Sequence, residues 1–268
     1  QKVFKVDQAE YDKLSQHMGQ FPVVLIAPND DELIRDSNET RRKFFDSIIG
    51  QADPEYLSEL IKYNFHLKQR NALLKSFAEQ GKRDKLLLES YSQPMIKGSI
   101  IIAKKRAAFL SSFQPHFEGN YHNISEKKDD VGIVYNPKAL LDTFAKDFET
   151  GLEKDMITQR SNLGIHRDEF QFKINGFPLK KFGSQGQQKS FLISLKLAQF
   201  EFIKKQSSVI PILLLDDIFD KLDENRVSQI IDLVNNNEFG QIFITDTHLE
   251  RTENILKKGS TAYEIFEL

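Results

Sequence analysis

Ile212-Leu213-Leu214-Leu215-Asp216-Asp217 closes an apolar run on two carboxylates. It is preceded by Gly183-Ser184-Gln185-Gly186-Gln187-Gln188, with an interval of 32 from Ser184 to Asp216. The apolar run reads as a strand of a parallel sheet buried on both faces. Ligands of such sheets gather at the carboxyl ends of the strands, where the two acids stand. Asp216 in that position suits Mg²⁺. Asp217 suits a base that orients or deprotonates a water attacking a phosphate. A core strand capped by exposed acids fits this segment equally well when it is taken alone. The upstream stretch opens an amphipathic helix, whose free N–H groups and positive dipole end suit a phosphate. Ser184 can add a hydroxyl, and Gly186 allows close backbone approach. By itself it also fits an ordinary polar N-cap. The order and the interval join the two, because 32 residues hold one crossover helix and one strand.

Other residues extend the pattern. Asp220-Lys221-Leu222-Asp223 follows the acidic strand end, with Asp223 placed to cap the next helix. His248 ends the next expected strand, beside the acidic one, within reach of the same phosphate. Arg41-Arg42-Lys43 and Lys68-Gln69-Arg70 fit either a nucleic-acid backbone or a solvated helix face. Arg167 fits phosphate, DNA or simple pairing with Asp168. A phosphate loop of the form GxxxxGK[ST] does not occur. At Gly81-Lys82 the next residue is Arg83, and Ser76 stands where the first glycine belongs.

Composition narrows the classes. The chain has 268 residues, 40% hydrophobic and 28% charged, with net charge −2. That supports a sizeable core and argues against a disordered or uniformly nucleic-acid-coating chain. The absence of cysteine excludes disulfides and thiolate metal sites and is compatible with a reducing cytoplasm. No run approaches the ~20 apolar residues of a membrane helix, and no secretory signal is visible.

Residues 2–6 and Val23–Ala27 read as strands flanking a short helix over 8–17. Asp36 and Glu39 resemble a capping box for a helix to about Ile49. Asp53-Pro54-Glu55 is a stronger start, and the helix it opens stripes Leu57, Leu60, Ile61, Asn64, Leu67, Leu74 and Phe77 before stopping near Gly81. A second helical stretch runs from Lys85 to about Phe117, with a kink or break expected at Pro94 and Gly98. A third helix is expected from Asn136-Pro137 through Leu152. Phe170, Phe172 and Ile174 alternate as a strand, and Asn175-Gly176 signals a hairpin. Beyond the helix that follows Gly186, strands are expected at 211–215, 241–245 and the Tyr-Glu-Ile-Phe-Glu-Leu end, with a helix over 223–235. Three regions result: 1–35, a helical arm over 36–160, and 161–268.

Gly183 to Lys189, Leu213 to Asp217, Asp220 to Asp223 and His248 resemble the C-terminal half of an ABC-type, SMC-like ATPase head. Phe21-Pro22-Val23-Val24, Arg41 to Asp46, Tyr63, Gln69 to Leu74 and Gly164-Ile165-His166-Arg167-Asp168-Glu169 narrow the likeness to the RecF family of bacterial recombination mediators, over nearly the whole chain. The resemblance implies an α/β fold: a partial ABC-type (P-loop NTPase) ATPase head with an inserted antiparallel helical arm. It implies ATP and Mg²⁺ as cofactors, both needing a phosphate loop expected upstream of Gln1. Ser184, Gln185, Gly186, Gln187, Gln188 and Asp223 would contact nucleotide, Asp216 would hold the metal, and Asp217 and His248 would be catalytic. The implied partners are DNA at single-strand gaps, RecR, RecA indirectly, and a second copy in an ATP-dependent homodimer. A cytoplasmic location and a weak, DNA-stimulated ATPase of the full-length protein follow from the same likeness. Two other readings keep the fold: a non-hydrolysing adaptor, and a structural SMC-like head. The latter would carry a long coiled coil, for which the arm is too short.

Overall fold

The structure is a computed structural model that describes residues 5–6, 9–10, 20–81, 84–125, 128–207, 209–217, 239–247, 253, 257 and 262–266. The chain divides into two compact units. The first comprises Gln1–Arg35, Phe113–Gly132 and Phe172–Leu268; the second comprises Asp36–Ser112 and Ile133–Gln171.

In the first unit, β1 (Lys5–Val6) and β2 (Ala9–Glu10) form an antiparallel pair, so the helix expected over 8–17 does not begin there. Residues 11–19 lie outside the described residues. The central feature is a parallel sheet in the order β3 (Val23–Ile26), β7 (Ile212–Asp216), β8 (Ile242–Thr245). Val23 pairs with Ile212, and Asp216 pairs with Thr245, so β7 lies in the middle with its acidic end beside β8. Val24, Ile26, Leu213 and Leu215 are buried, whereas Val23, Leu25 and Phe243 are exposed. On β7, expected to be buried on both faces, Leu213 and Leu215 are buried while Ile212 and Leu214 are half-buried, so one face is the more deeply covered. That face lies on the side of α8 (Gln185–Gln206), whose Lys196 donates to the Leu25 carbonyl at 2.9 Å and pairs with Asp30 at 2.7 Å.

Residues Ser190 to Phe200 of α8 are all buried, apolar and polar alike. Such a helix is covered on every side rather than along one stripe. Phe191 is its main anchor, packing on Phe117 and Phe172 with ring centroids 4.6 and 5.0 Å apart. β5 (Phe170–Ile174) and β6 (Phe177–Pro178) form the expected hairpin, with Asn175 and Gly176 at φ 49° and 78°. Positive φ at both central residues is what a type I′ turn requires. A third strand of this sheet, β4 (Val131–Tyr135), escaped the sequence reading although Val131 and Ile133 alternate as a strand should. Residues 262–266 carry no strand, so the last expected strand does not form over them.

The second unit is built on α2 (Asn38–Ala52), α3 (Pro54–Gln80) and the first part of α4 (Lys85–Ser125). Ser37, not Asp36, caps α2, accepting from the Glu39 N–H. Asp53 caps α3 with Pro54 at its first position, and Gly81 ends it at φ 67°. Arg70 meets Ser92 while Tyr56 meets Arg106, so α3 and α4 run antiparallel. α4 continues through Pro94 and Gly98 without a break. A proline removes one bond of the ladder, and buried Met95, Ile96 and Ile102 hold the helix across it.

The expected single helix from Asn136 is instead a 3₁₀ turn at Lys138–Leu140, α5 (Phe144–Thr150) and α6 (Leu152–Thr158). Gly151 joins the last two, where an added Cβ would lie 3.0 Å from the Asp147 carbonyl oxygen.

The face that α3 buries differs from the expected stripe. Tyr56, Tyr63, Arg70 and Leu74 are buried, while Ile61 is 53% exposed. The reason is a polar interior. Arg106 on α4 donates to both carboxylate oxygens of Asp46 at 3.0 and 2.9 Å, to Asp168 at 3.1 Å and to the Ile165 carbonyl at 3.0 Å. Tyr56 donates to Asp46 at 2.5 Å and Tyr135 donates to Asp168 at 2.6 Å. Burial alone would lower the Arg106 pKa, but the surrounding Tyr56 and Asp46 raise it well above the usual value, so the guanidinium is held as a cation. Arg70 donates to Asp155 and Ser161, both at 2.7 Å, and lies over the Phe148 ring at 4.9 Å.

Candidate functional site

The helix entrance is an exposed polar edge built by local capping. Ser184 takes extended backbone geometry at the N-cap of α8, and its Oγ accepts the Gln187 N–H at 3.2 Å. Gln187 Oε1 in return accepts the Ser184 N–H at 2.8 Å, completing a capping box. The Ser184 hydroxyl accepts in that pair, which leaves its own O–H able to donate outward. Ser184 and Gln185 are exposed. The N–H groups of Gln185 and Gly186 are the first of the helix and have no carbonyl within it. The edge therefore offers a hydroxyl, two orphan amides and a dipole end, the donor set an anion prefers.

The two remaining glutamines face the protein. Gln187 Nε2 donates to Asp129 at 3.0 and 3.1 Å, and Gln188 Nε2 donates to the Gly183 carbonyl at 2.8 Å. Asp129 also accepts from Tyr121 at 3.0 Å and from Asn175 at 3.1 Å. The roles of Asp129 and Tyr121 are not legible in the sequence. The Asn175-Gly176 turn is its only signal of this support.

Asp216 is the last residue of β7 and is exposed at the carboxyl end of the sheet. Thr245 Oγ1 donates to Asp216 Oδ1 at 2.5 Å, which places a second hard oxygen at the strand end. These oxygens fit Mg²⁺, a cation that takes carboxylates and keeps several waters. Asp217 follows at φ 47°, and its N–H donates to the Thr245 carbonyl at 3.1 Å. A non-glycine residue in the left-handed region carries strain that persists where surrounding contacts impose it, often at functional sites. Here the bond to Thr245 imposes it. Asp223, with the rest of Asp220 to Asp223, and His248 lie outside the described residues, as does the helix expected over 223–235.

The arginines of the basic clusters are used internally, while Lys43 and Lys68 stay exposed. Arg41 donates to the Phe170 carbonyl at 3.1 Å and Arg42 to the Asp168 carbonyl at 2.6 Å. Lys43 pairs with Glu39 along α2, and Arg70 is fully buried. At Arg70, which fitted either a nucleic-acid backbone or a solvated face, the structure has a core ion pair with Asp155 instead. Asp168 pairs with Arg106 rather than with Arg167. His166 accepts the Tyr63 hydroxyl at Nδ1 (2.6 Å) and meets the Ser161 carbonyl at Nε2 (3.0 Å). A carbonyl only accepts, so Nε2 carries the proton. Burial, with the charges of Arg167 and Arg42, lowers the His166 pKa to about 4, so the ring is neutral. Exposed Arg167 lines a cavity of about 230 Å³ in the second unit, together with Asn136, Lys138, Gly164 and Glu169. Among the described residues no helix is long and apolar enough to cross a membrane.

No family model matches the chain. Individual relatives do. The DNA replication and repair protein RecF of Flavobacterium johnsoniae is 48% identical over 267 residues, which are 100% of this chain and 74% of that protein. The protein of the same name from Cytophaga hutchinsonii is 43% identical over 265 residues, 99% of this chain and 70% of the relative. Among solved structures, the recombination mediator protein RecF-ATPrS in the RecFOR pathway superposes with a TM-score of 0.83 at 27% identity, over 93% of this chain and 69% of that one. The corresponding RecF-ATP structure gives 0.81 at 27% identity, over 93% and 68%. The fold is therefore the α/β one expected, a partial ABC-type ATPase head with an inserted helical arm. On identity and coverage alike, the chain belongs to the RecF family of DNA replication and repair proteins.

Proposed function

We propose that the chain is part of an ATP-dependent DNA-binding protein of recombinational repair and replication, which acts with RecR to load RecA at single-strand gaps. Two copies pair around two ATP molecules. Ser184, Gln185 and Gly186 of one copy meet the nucleotide bound by the other, whose phosphates rest on a GxxxxGK[ST] loop outside this sequence. Asp216 would hold Mg²⁺, which when bound would neutralise phosphate charge; Asp217 accepts the proton of the attacking water and orients it in line with the γ-phosphate, and Asp223 and His248 complete the contacts. The observation that carries this reading is the pair of exposed polar ends in the first unit. One is a capped helix entrance with outward donors; the other is a strand end where Asp216 is followed by Asp217 in the left-handed region.

The test is steady-state ATP hydrolysis by the full-length protein with Asp217→Asn. Asparagine tolerates the left-handed region, so the fold is retained. The expected loss is about 100-fold or more, the worth of a general base. Hydrolysis unchanged in that variant removes Asp217 from the mechanism.

A further inference from the structure

Gln187 belongs to the helix-entrance motif, yet both ends of its side chain are occupied inside the first unit. Its carbonyl oxygen holds the Ser184 N–H, and its amide nitrogen spans both oxygens of Asp129. Asp129 is itself fixed from two other directions. Tyr121, on the last part of α4, donates to Oδ2, and Asn175, at the hairpin tip, donates to Oδ1. The hairpin tip is tied to the same short segment by the backbone, since Asp130 N–H reaches Asn175 Oδ1 at 2.8 Å and Asn175 N–H reaches the Asp130 carbonyl at 2.6 Å. A carboxylate that accepts from a helix, a turn and a glutamine is a rigid clamp of charge-assisted hydrogen bonds. Gln187 links it to the exposed edge.

The geometry points to Asp129 as a positioning residue. It fixes the rotamer of Gln187, which fixes the Ser184 N–H and hence the direction of the outward hydroxyl and of the Gln185 and Gly186 amides. The motif thereby divides into ligand-facing Ser184, Gln185 and Gly186 and inward-facing Gln187 and Gln188. This inference rests on the nucleotide reading of that edge given above. A pre-set edge loses little rotamer freedom when it meets phosphate, and that saving appears as affinity between two copies rather than as affinity of one copy for ATP.

The experiment uses the full-length protein. Dimerisation in a non-hydrolysable ATP analogue is measured by sedimentation velocity, and protomer affinity by titration with a fluorescent ATP analogue. Asp129→Ala is expected to weaken dimerisation about tenfold, the scale of one lost hydrogen-bonding partner, with protomer affinity unchanged. Asp129→Asn keeps one acceptor oxygen and is expected to lose only about threefold, which also covers the case of an alanine variant that does not fold. Combined with Gln187→Ala, Asp129→Ala should add nothing, because it acts through that side chain. Dimer affinity unmoved by Asp129→Ala, additive effects, or equal loss of dimer and protomer affinity each overturn the positioning role. A wild type that stays monomeric in the analogue overturns the nucleotide reading itself, and the positioning role with it.

Discussion

Both units hold charged and polar clusters that stand out in the sequence, and they use them in opposite ways. In the second unit Arg70 and Arg106 are buried to 0% and 1% exposure, Arg70 paired with Asp155 and Arg106 with Asp46 and Asp168. In the first unit Ser184, Gln185 and Asp216 stand exposed at the ends of α8 and β7. A buried cation must be paired because water is no longer there to solvate it. An exposed donor edge can wait for a ligand. Clusters of similar polarity are thus separated by burial alone, and burial decides which is architecture and which is available for binding.

Removing the buried charge should have the largest effect. Arg106→Met leaves Asp46 and Asp168 without their cation and is expected to lower unfolding free energy by about 3–5 kcal/mol, read by chemical denaturation. Next comes Gly164→Ala. Gly164 sits at φ 131°, and a Cβ there would fall 2.3 Å from the Tyr63 hydroxyl, so the backbone strain and the clash together should cost about 3 kcal/mol.

The neutral His166 gives a pH signature of similar or smaller size. Its folded pKa lies near 4, below the usual 6.5, so the unfolded chain takes up a proton that the folded chain refuses. The stability it confers is present above pH 6.5 and is lost as pH falls towards 4, by roughly 3 kcal/mol at most. Denaturation of the wild type and of His166→Asn across that window should converge at the acid end. The smallest change in stability is expected at the exposed edge: Ser184→Ala removes a cap worth about 1 kcal/mol. A loss near 4 kcal/mol there would erase the contrast between the two units.

Much of this was legible in the residues. The β7 strand shows as an apolar run, and the helix start at Asp53-Pro54 and the Asn175-Gly176 turn follow from backbone chemistry that few residues satisfy. The buried face of α3 was not legible. Tyr56, Tyr63 and Arg70 share it at seven-residue spacing, but an apolar count passes over side chains that bury a ring or an alkyl stem behind a polar tip. Arg41, Arg42 and Arg70 looked like a surface patch for the same reason, since their partners Phe170, Asp168 and Asp155 lie about a hundred residues away in sequence. At the candidate site, Ser184 and Asp216 stand out in the sequence as a helix N-cap and the end of an apolar strand, and the structure places them there. The left-handed Asp217 and the Asp129 support do not, because the first is imposed by Thr245 on a neighbouring strand and the second by a segment of different sequence context.

The most direct test of the claim that the exposed edge of α8 faces a second copy's nucleotide is the assembly state of the full-length protein carrying Ser184→Arg, measured by sedimentation velocity with and without a non-hydrolysable ATP analogue. The wild type is expected to become a dimer with the analogue, and the variant to stay monomeric while each protomer still binds nucleotide. A variant that dimerises as well as the wild type would contradict that claim.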